Sequence, residues 1–406
     1  ILALFGTGPI KGFATTLIIG IVCSLITAIF VSRIIFDILI SKDKCQGLTF
    51  CTKLSSSLFK NINFDFIGKA KNWMLASAAF MLVAIVSLAT LNLKYGIDFT
   101  GGRNYIVKFE KNVSTTDIKN TLDNAFAESN VNVITIGSDD QIRISTNYRI
   151  NDTDDNVELD IQKKLYENLK GILSPSVTEE MFISSYVLDE NGNASLANQG
   201  TYGIQSSQKV GPTMASDIKI SAIIAVLIAL VGIGLYILFR FRKAAYSYGA
   251  VIALIHDTLF ILGIFSLCQS VMNFSLEIDQ SFIAAILTVI GYSINDKVVI
   301  FDRIREYFGL KPNSDKKEVF NDAINSTLSR TFSTSLSTLL VLVIIFLFGG
   351  VTIKGFIFAM LIGVIVGTYS SIFIAAPIAH KFYNVADNEK EALKKADRKQ
   401  KIENRI

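Results

Sequence analysis

Charge is scarce in this sequence. Asp, Glu, Lys and Arg make up 18% of its 406 residues, while half are hydrophobic and 29 are phenylalanine. That balance excludes an ordinary soluble globular protein and leaves a multi-span membrane protein. An excess of one sign is missing too: 39 basic residues against 35 acidic ones leave +4, so nothing marks nucleic acid as a partner. Cysteine is sparse, with four residues. Cys23 and Cys268 fall in apolar helices and read as small buried hydrophobes. Cys45 and Cys51 are wrongly spaced for a zinc knuckle, so no disulfide framework and no metal site is expected. The sequence also lacks the facing aspartates, Ser-His pairs or zinc-ligand pairs of an intramembrane protease, which argues against an enzyme and against any cofactor. A cleavable leader is not visible either. The chain starts at Ile1-Leu2-Ala3-Leu4 in mid-pattern, as a piece of a longer protein would.

What is present is a series of apolar segments around one polar domain. Residues 1–11 end one hydrophobic segment and 12–36 form a span. Residues 37–72 are a polar connector with Lys42, Lys44, Lys53, Lys60, Lys69 and Lys71, and that excess of lysine puts it on the cytoplasmic side. A span at 73–93 follows, with Trp73 and Tyr95 as interfacial anchors. Residues 94–216 are soluble in character and therefore external. Their pattern reads strand (105–109), helix (115–128), strand (131–136), strand (141–145), helix (154–173), then extended pieces at 181–188 and 202–210. This order predicts a βαββαβ ferredoxin-like sandwich, with a mobile polar loop over 189–200. Five more spans are expected at 217–239, 244–270, 281–301, 331–349 and 354–378. The basic turn Arg240, Arg242, Lys243 orients them and leaves a cytoplasmic tail from 379 to 406. The fold class is thus an α-helical multi-span membrane bundle of about seven transmembrane helices carrying one α+β domain.

An internal repeat organises the ends. Phe5-Gly6 and Ile10-Lys11-Gly12-Phe13 recur as Phe348-Gly349 and Ile353-Lys354-Gly355-Phe356, without gaps. Residues 1–36 then read as the last helix pair of a first half whose body is absent, with 73–378 a second half. In repeat-built transporters the working site lies between the halves.

Asp296 is the residue to explain. It stands within the apolar run 282–301, and at about 1.5 Å per residue it lies roughly 10 Å inward of Arg303, inside the hydrocarbon. A carboxylate there is either a structural hydrogen-bonding group or part of an ion or substrate path. Arg330 opens a later span at a comparable depth, and Ser326, Arg330, Ser333, Thr334 and Ser337 share one helix face by spacing. A hydroxyl-lined face with an Arg opposite an Asp suits a proton or cation relay, although such hydroxyls also serve helix packing. Lys297 points away from Asp296 and is expected to snorkel toward the cytoplasm rather than pair. His256-Asp257, roughly 20 Å from the basic turn and so nearer the outer face, is either an outer half-channel or a structural pair. Gly96, Asp98, Gly101 and Gly102 suit a tight junction where the polar domain meets the membrane, with Asp98 as a turn or cap, and Gly211-Pro212 brings the chain back there.

These motifs together resemble a known family. Gly-Ile-Asp-Phe-Thr-Gly-Gly at 96–102, Val-Gly-Pro at 210–212, Ala-Leu-Ile-His-Asp at 253–257, Ile-Gly-Tyr-Ser-Ile-Asn-Asp through Phe-Asp-Arg-Ile-Arg-Glu at 290–306, and Asn-Ser-Thr-Leu-Ser-Arg-Thr at 325–331 are similar to SecF. Residues 1–36 are similar to the end of SecD. Both in one chain resemble the fused SecDF form of the protein-export family, within the resistance-nodulation-division superfamily. The resemblance implies a bacterial inner-membrane subunit that works with the SecYEG channel and the SecA ATPase. It would use a proton or sodium gradient to draw preproteins outward, with the missing SecD-like half, YajC-like and YidC-like membrane proteins as further partners. It implies an ion pathway through Asp296 and Arg330, and it places Asn295 where the SecD half carries an acid; Asp257 and Asp302 are further candidates for that pathway by their charge and position in the chain. Lys297 departs from the pattern, which has a small or hydroxyl residue there. Outside this resemblance, a small-molecule or lipid exporter of the same superfamily and a non-transporting assembly scaffold are the alternatives.

Overall fold

The computed structural model describes residues 8–42 and 63–383, apart from positions 128, 130, 137, 153, 155, 190, 198–200, 270, 273 and 351–352. Most of the lysine-rich connector, Cys45, Cys51, the opening of the repeat's first copy and most of the expected tail lie outside the described residues.

Among the described residues, seven helices are long and apolar enough to cross a membrane. The first is α1, Gly8–Ile26, which passes through a π-helical turn at Thr27–Val31 and continues as α2, Ser32–Ser41. The others are α3 (Ala70–Thr90), α8 (Pro212–Phe241), α9 (Ala244–Cys268), α10 (Gln280–Leu310), α11 (Lys316–Phe348) and α12 (Lys354–Ser370). Beyond α12 a second π-turn, Ser371–Ala375, leads into α13, Ala376–Phe382. Several helices outrun the apolar runs that predict them, because helical hydrogen bonding continues through polar ends. α11 begins at Lys316, where Asp315 accepts from the Lys317 amide at 3.2 Å, and not at 331. α8 starts at Pro212, whose fixed φ and missing N–H suit a first helical position, and ends at Arg242 in the left-handed region (φ 56°).

The two π-turns bear on the repeat. Its register sets Thr27 against Ser370, so the first π-turn corresponds, within one residue, to the second. Irregular turns at matching places in both copies are independent of the matching letters that define the repeat.

The polar stretch folds as a four-stranded sheet with helices on one face. Its elements are α4 (Ile97–Thr100), β1 (Gly102–Lys108), α5 (Thr115–Ala125), β2 (Val131–Ile136), β3 (Ser138–Thr146), α6 (Val157–Leu169), α7 (Glu179–Ser184), the hairpin β4 (Tyr186–Leu188) and β5 (Ala194–Leu196), and β6 (Gly203–Val210). Strand order is β2-β3-β1-β6 and every pairing is antiparallel, the βαββαβ arrangement. Tyr105 and Val107 alternate inward on β1, opposite Ile144 and Ile142 on β3. They meet Ile118 and Leu122 of α5 and Ile161 and Leu165 of α6. Two local expectations change. Residues 181–184 are helical rather than extended, because α7 starts at Glu179, where Thr178 caps the Met181 amide and two glutamates occupy the first turn. The loop over 189–200 contains strand β5, its turn held by Asp189 accepting from the Asn191 and Asn193 amides at 2.9 and 2.7 Å.

Burial is uneven across the spans. In α12 and its continuation 56% of the most apolar window is buried, whereas in α1–α2 the figure is 6%. α9, α10 and α12 therefore form the packed centre, while α1–α2 and much of α11 keep their side chains uncovered.

Candidate functional site

α10 carries Ser293, Asp296 and Lys297, all buried in the middle of the helix. α12 lies close against it. A Cβ on Gly367 would stand 2.7 Å from Ser293 Oγ, so only a glycine lets the helices approach this near.

Lys297 does not snorkel. Its side chain is fully buried and its ammonium donates to Asp257 Oδ2 at 3.1 Å, Ser370 Oγ at 3.1 Å and Ser293 Oγ at 2.5 Å, with the Ser293 carbonyl at 3.5 Å. Asp257 in turn accepts from Ser293 Oγ and Ser370 Oγ, each at 2.8 Å, while its other oxygen faces His256 Nδ1 at 3.3 Å. His256 Nε2 lies 2.8 Å from Ser77 Oγ on α3. The physical reason is plain: an unpaired buried carboxylate costs more than a curled lysine stem, and Asp257 draws the nearest cation inward. Asp257 is also not displaced toward one face. Its partner Lys297 stands thirteen residues from Leu310, and Asp257 thirteen from Ala244, so both lie about 20 Å along their helices from the same end. These contacts tie His256 and Asp257 of α9 to α10, α12 and α3.

Asp296 is different. It is 3% exposed, and its Oδ2 is buried without a hydrogen-bond partner. Lys297, Arg330 and the Ser335 hydroxyl are the groups that act on its carboxyl. No ion pair within 4 Å joins Asp296 to Arg330 among the described residues, and Arg330 is exposed. The hydroxyl face of α11 is set one residue from expectation. Ser326, Ser333, Thr334 and Ser337 are exposed, and the buried hydroxyls are Thr327, Thr331 and Ser335. Thr331 Oγ1, like Asp296 Oδ2, is buried and unpartnered, while Ser335 Oγ meets Thr368 Oγ1 of α12 at 2.6 Å.

Asn295 lies on the exposed side of α10, near Gly291 by helical spacing. Asp302 belongs to a surface cluster, pairing with Arg305 at 2.8 Å and Arg240 at 3.5 Å, and is not brought to Asp296. Sequence reasoning gave no role to Ser293 or Ser370. Ser293 had a signal, standing four residues before Lys297 on the same helix face. Ser370 had none beyond being polar in an apolar span.

The opposite end of α10 meets the α/β domain. Asp98 accepts from the Gln280 amide at 3.1 Å and Asp279 from the Phe282 amide at 2.7 Å, so two carboxylates cap this helix. Asp98 is therefore a cap, but of a helix about 180 residues away in sequence. A parallel bridge pairs Tyr95 with Ile278 here, with Gly96 N donating to Ile278 O at 3.0 Å and Ile278 N to Lys94 O at 2.7 Å. Gly101 takes φ 72° with Pro212 Cα 3.3 Å from where a Cβ would be, so both crossings of the chain, at 101 and 211–212, share one point. Glu277 completes the junction by accepting from Asn132 at 3.0 Å and Arg143 at 3.4 Å, on β2 and β3. Burial pushes the Asp279 carboxyl up to about 6, with Asp98 and Glu277 adding to the effect, and burial raises Glu277 likewise.

Comparison with known proteins agrees with this architecture. Residues 192–385 match the model of the protein export membrane protein SecD/SecF, C-terminal family, and residues 86–113 match the SecD/SecF GG motif. The protein translocase subunit SecF of Rhodothermus marinus is 39% identical over 322 residues, covering 79% of this chain and 94% of that protein. SecDF of Bacillus subtilis is 30% identical over 395 residues, which is 93% of this chain and 48% of that protein. The crystal structure of a Thermus SecDF, a translocon-associated membrane protein, superposes with a TM-score of 0.73 at 28% identity, over 93% of this chain and 45% of that one. A SecDF crystal structure in a super-membrane-facing form superposes at 0.61, also at 28% identity, over 98% and 47%. The chain spans about half the length of these SecDF relatives. With this fold, the glycine junction and a near full-length relative at 39% identity, the chain belongs to the SecD/SecF family of protein-export membrane proteins.

Proposed function

We propose that this chain is the SecF side of an ion-gradient-driven accessory subunit of the Sec translocase, assisting the late, outward stage of preprotein translocation. The observation that carries the reading is the contrast between two buried acids on neighbouring helices. Asp257 is saturated with partners, whereas Asp296 is buried with an oxygen that has none. An acid left unsatisfied in a packed bundle, beside a helix that presents Arg330 at an open face, is poised to gain and lose a proton or cation. That open face, together with the uncovered α1–α2, is where a SecD-like half would pack, and it would bring the ion path of Asp296 and Arg330 to the interface between halves.

Coupling to the α/β domain runs through α10. Both ends of the mechanism sit on this one helix: the acid in its middle and the Asp98–Gln280 cap at its start. One charge crossing 100 mV supplies about 2.3 kcal/mol, enough to bias a domain between two orientations by tens of fold. In this reading the α/β domain lies on the outer side, the basic turn Arg240-Phe241-Arg242-Lys243 and the C-terminus lie in the cytoplasm, and SecYEG, SecA and the moving preprotein are the partners.

The test is preprotein export by inverted vesicles carrying the intact protein, under a proton and then a sodium gradient. Asp296→Asn and Arg330→Ala should lower export to the level without the protein at unchanged membrane abundance. Normal export by both variants would assign the pair a purely structural role.

A further inference from the structure

We propose that the Lys297 ammonium is a tethered monovalent cation, filling an oxygen cage formed by Asp257, Ser293 and Ser370 that would otherwise take sodium, and so making the membrane core indifferent to sodium.

The cage is made only of oxygen. One carboxylate oxygen, two hydroxyls and one backbone carbonyl surround the ammonium at 2.5–3.5 Å, with no nitrogen or sulfur among them. Hard cations of low charge select such ligands. The cage is also built, not incidental. Asp257, Ser293, Ser370 and Lys297 are each 1% exposed or less, and they come from the three most buried spans. The hydroxyls do double duty, since Ser293 and Ser370 each donate to Asp257 while accepting from Lys297.

Charge balance explains why the occupant is covalent. Facing this point are Asp257 and His256 from α9, Asp296 from α10 and the Ser77 hydroxyl of α3, while α12 contributes hydroxyls alone. Arg330 on α11 is the other cation that acts on Asp296. One carboxylate and one ammonium leave the cage neutral, and a second cation inside it would meet the ammonium's repulsion with no further carboxylate among the cage oxygens. Being part of the helix, the ammonium cannot dissociate, so no ion passes through the cage. Asp296 remains as the exchangeable acid; the groups that act on its carboxyl are two cations, Lys297 and Arg330, and one hydroxyl, Ser335, a poor set for a dehydrated metal cation. A proton needs only the carboxylate itself. This inference rests on the ion-coupled reading of Asp296, and it deepens that reading by naming the ion class.

Binding of radioactive sodium to the intact protein in lipid nanodiscs, with choline as the balancing cation, tests the cage without a gradient or a preprotein. Wild type should show no saturable sodium binding. Lys297→Ala, or Lys297→Ser, should acquire it, together with a melting temperature that rises with sodium but not with choline. Adding Asp257→Asn to either should abolish both effects, and Lys297→Met, which fills the cage with apolar atoms, should show neither. Should the small variants fail to fold, recovery of monodisperse protein by extraction in high sodium supports the cage, and no recovery overturns it. A wild-type protein that binds sodium through Asp257, or a folded Lys297→Ala protein blind to sodium, also overturns it. The export reading is tested separately: normal export by Asp296→Asn sinks that reading while leaving the sodium result standing.

Discussion

Lys297 of α10 and Asp257 of α9 form an ion pair of 3.1 Å in which the two side chains are 0% and 1% exposed. Adjacent in sequence to Lys297, Asp296 points to a different set of neighbours and has an oxygen without a partner. Consecutive residues on one helix thus separate a saturated charge from an unsatisfied one.

Breaking the pair from one side should be severe. Asp257→Asn leaves the Lys297 charge buried and unmatched, and a loss of about 3–5 kcal/mol is expected. The check is thermal unfolding in nanodiscs, or membrane abundance in cells. Replacing both members by apolar residues of similar volume should restore most of that stability. A double variant no more stable than the single one would show that the pair does not act as a unit.

Asp296→Asn should behave in the opposite way. Its carboxyl has few partners to lose, so melting should be unchanged or slightly raised while ion-coupled export disappears. Equal losses of stability and export would point to a packing role.

Close contact between α10 and α12 depends on Gly367. Adding a methyl group there pushes on Ser293, so Gly367→Ala should cost about 1–3 kcal/mol through overpacking. It should also loosen Ser293 from Asp257. Thermal unfolding of Gly367→Ala alone and combined with Ser293→Ala would show it, since the two effects should not add.

At the junction of the α/β domain with the bundle, acidity should strengthen docking. The folded Asp279 carboxyl holds its proton up to about pH 6, against about 3.9 for an unperturbed Asp. A raised folded value means that its contribution to stability is complete below about pH 4 and is lost as pH rises through about 6. Hydrogen exchange at the Gln280–Phe282 amides should therefore slow as pH falls from 7.5 to 5, after correction for the intrinsic exchange rate. Asp279→Asn should flatten that dependence. An identical pH profile in the variant would remove Asp279 as its source.

Gly101 offers a separate test of the same junction. Its φ of 72° and the nearby Pro212 Cα leave poor space for a side chain, so Gly101→Val should cost about 1–3 kcal/mol. Limited proteolysis between 94 and 102 should then proceed faster than in wild type.

Much was legible in the letters. Apolar runs announced the spans, and alternation of Tyr105 and Val107 or Ile142 and Ile144 announced the strands, because burial against lipid or core imposes its period on the chain directly. The buried acid at 296 and the glycine pair at 101–102 were visible for the same reason: each violates its local surroundings, and such violations mark sites. Residues 181–184, the end of α7, read as extended in the sequence, since a short capped turn leaves little periodic signal.

What the sequence by itself determined is which segments enter the membrane and which polar residues are carried in with them, since transfer of a helix into lipid depends on that segment's own composition. Only the tertiary structure decided who meets whom there. Lys297 could reach outward along its own helix or inward to Asp257, and nothing local distinguishes these. The choice was made by Ser370, 73 residues away, and by Asp257, 40 residues away, which together supply the oxygens that make burial of an ammonium affordable. Asp98 likewise caps a helix it could not be known to touch. Pairing energies of buried charges depend on distance and on the medium around both partners, and those are properties of the folded bundle alone.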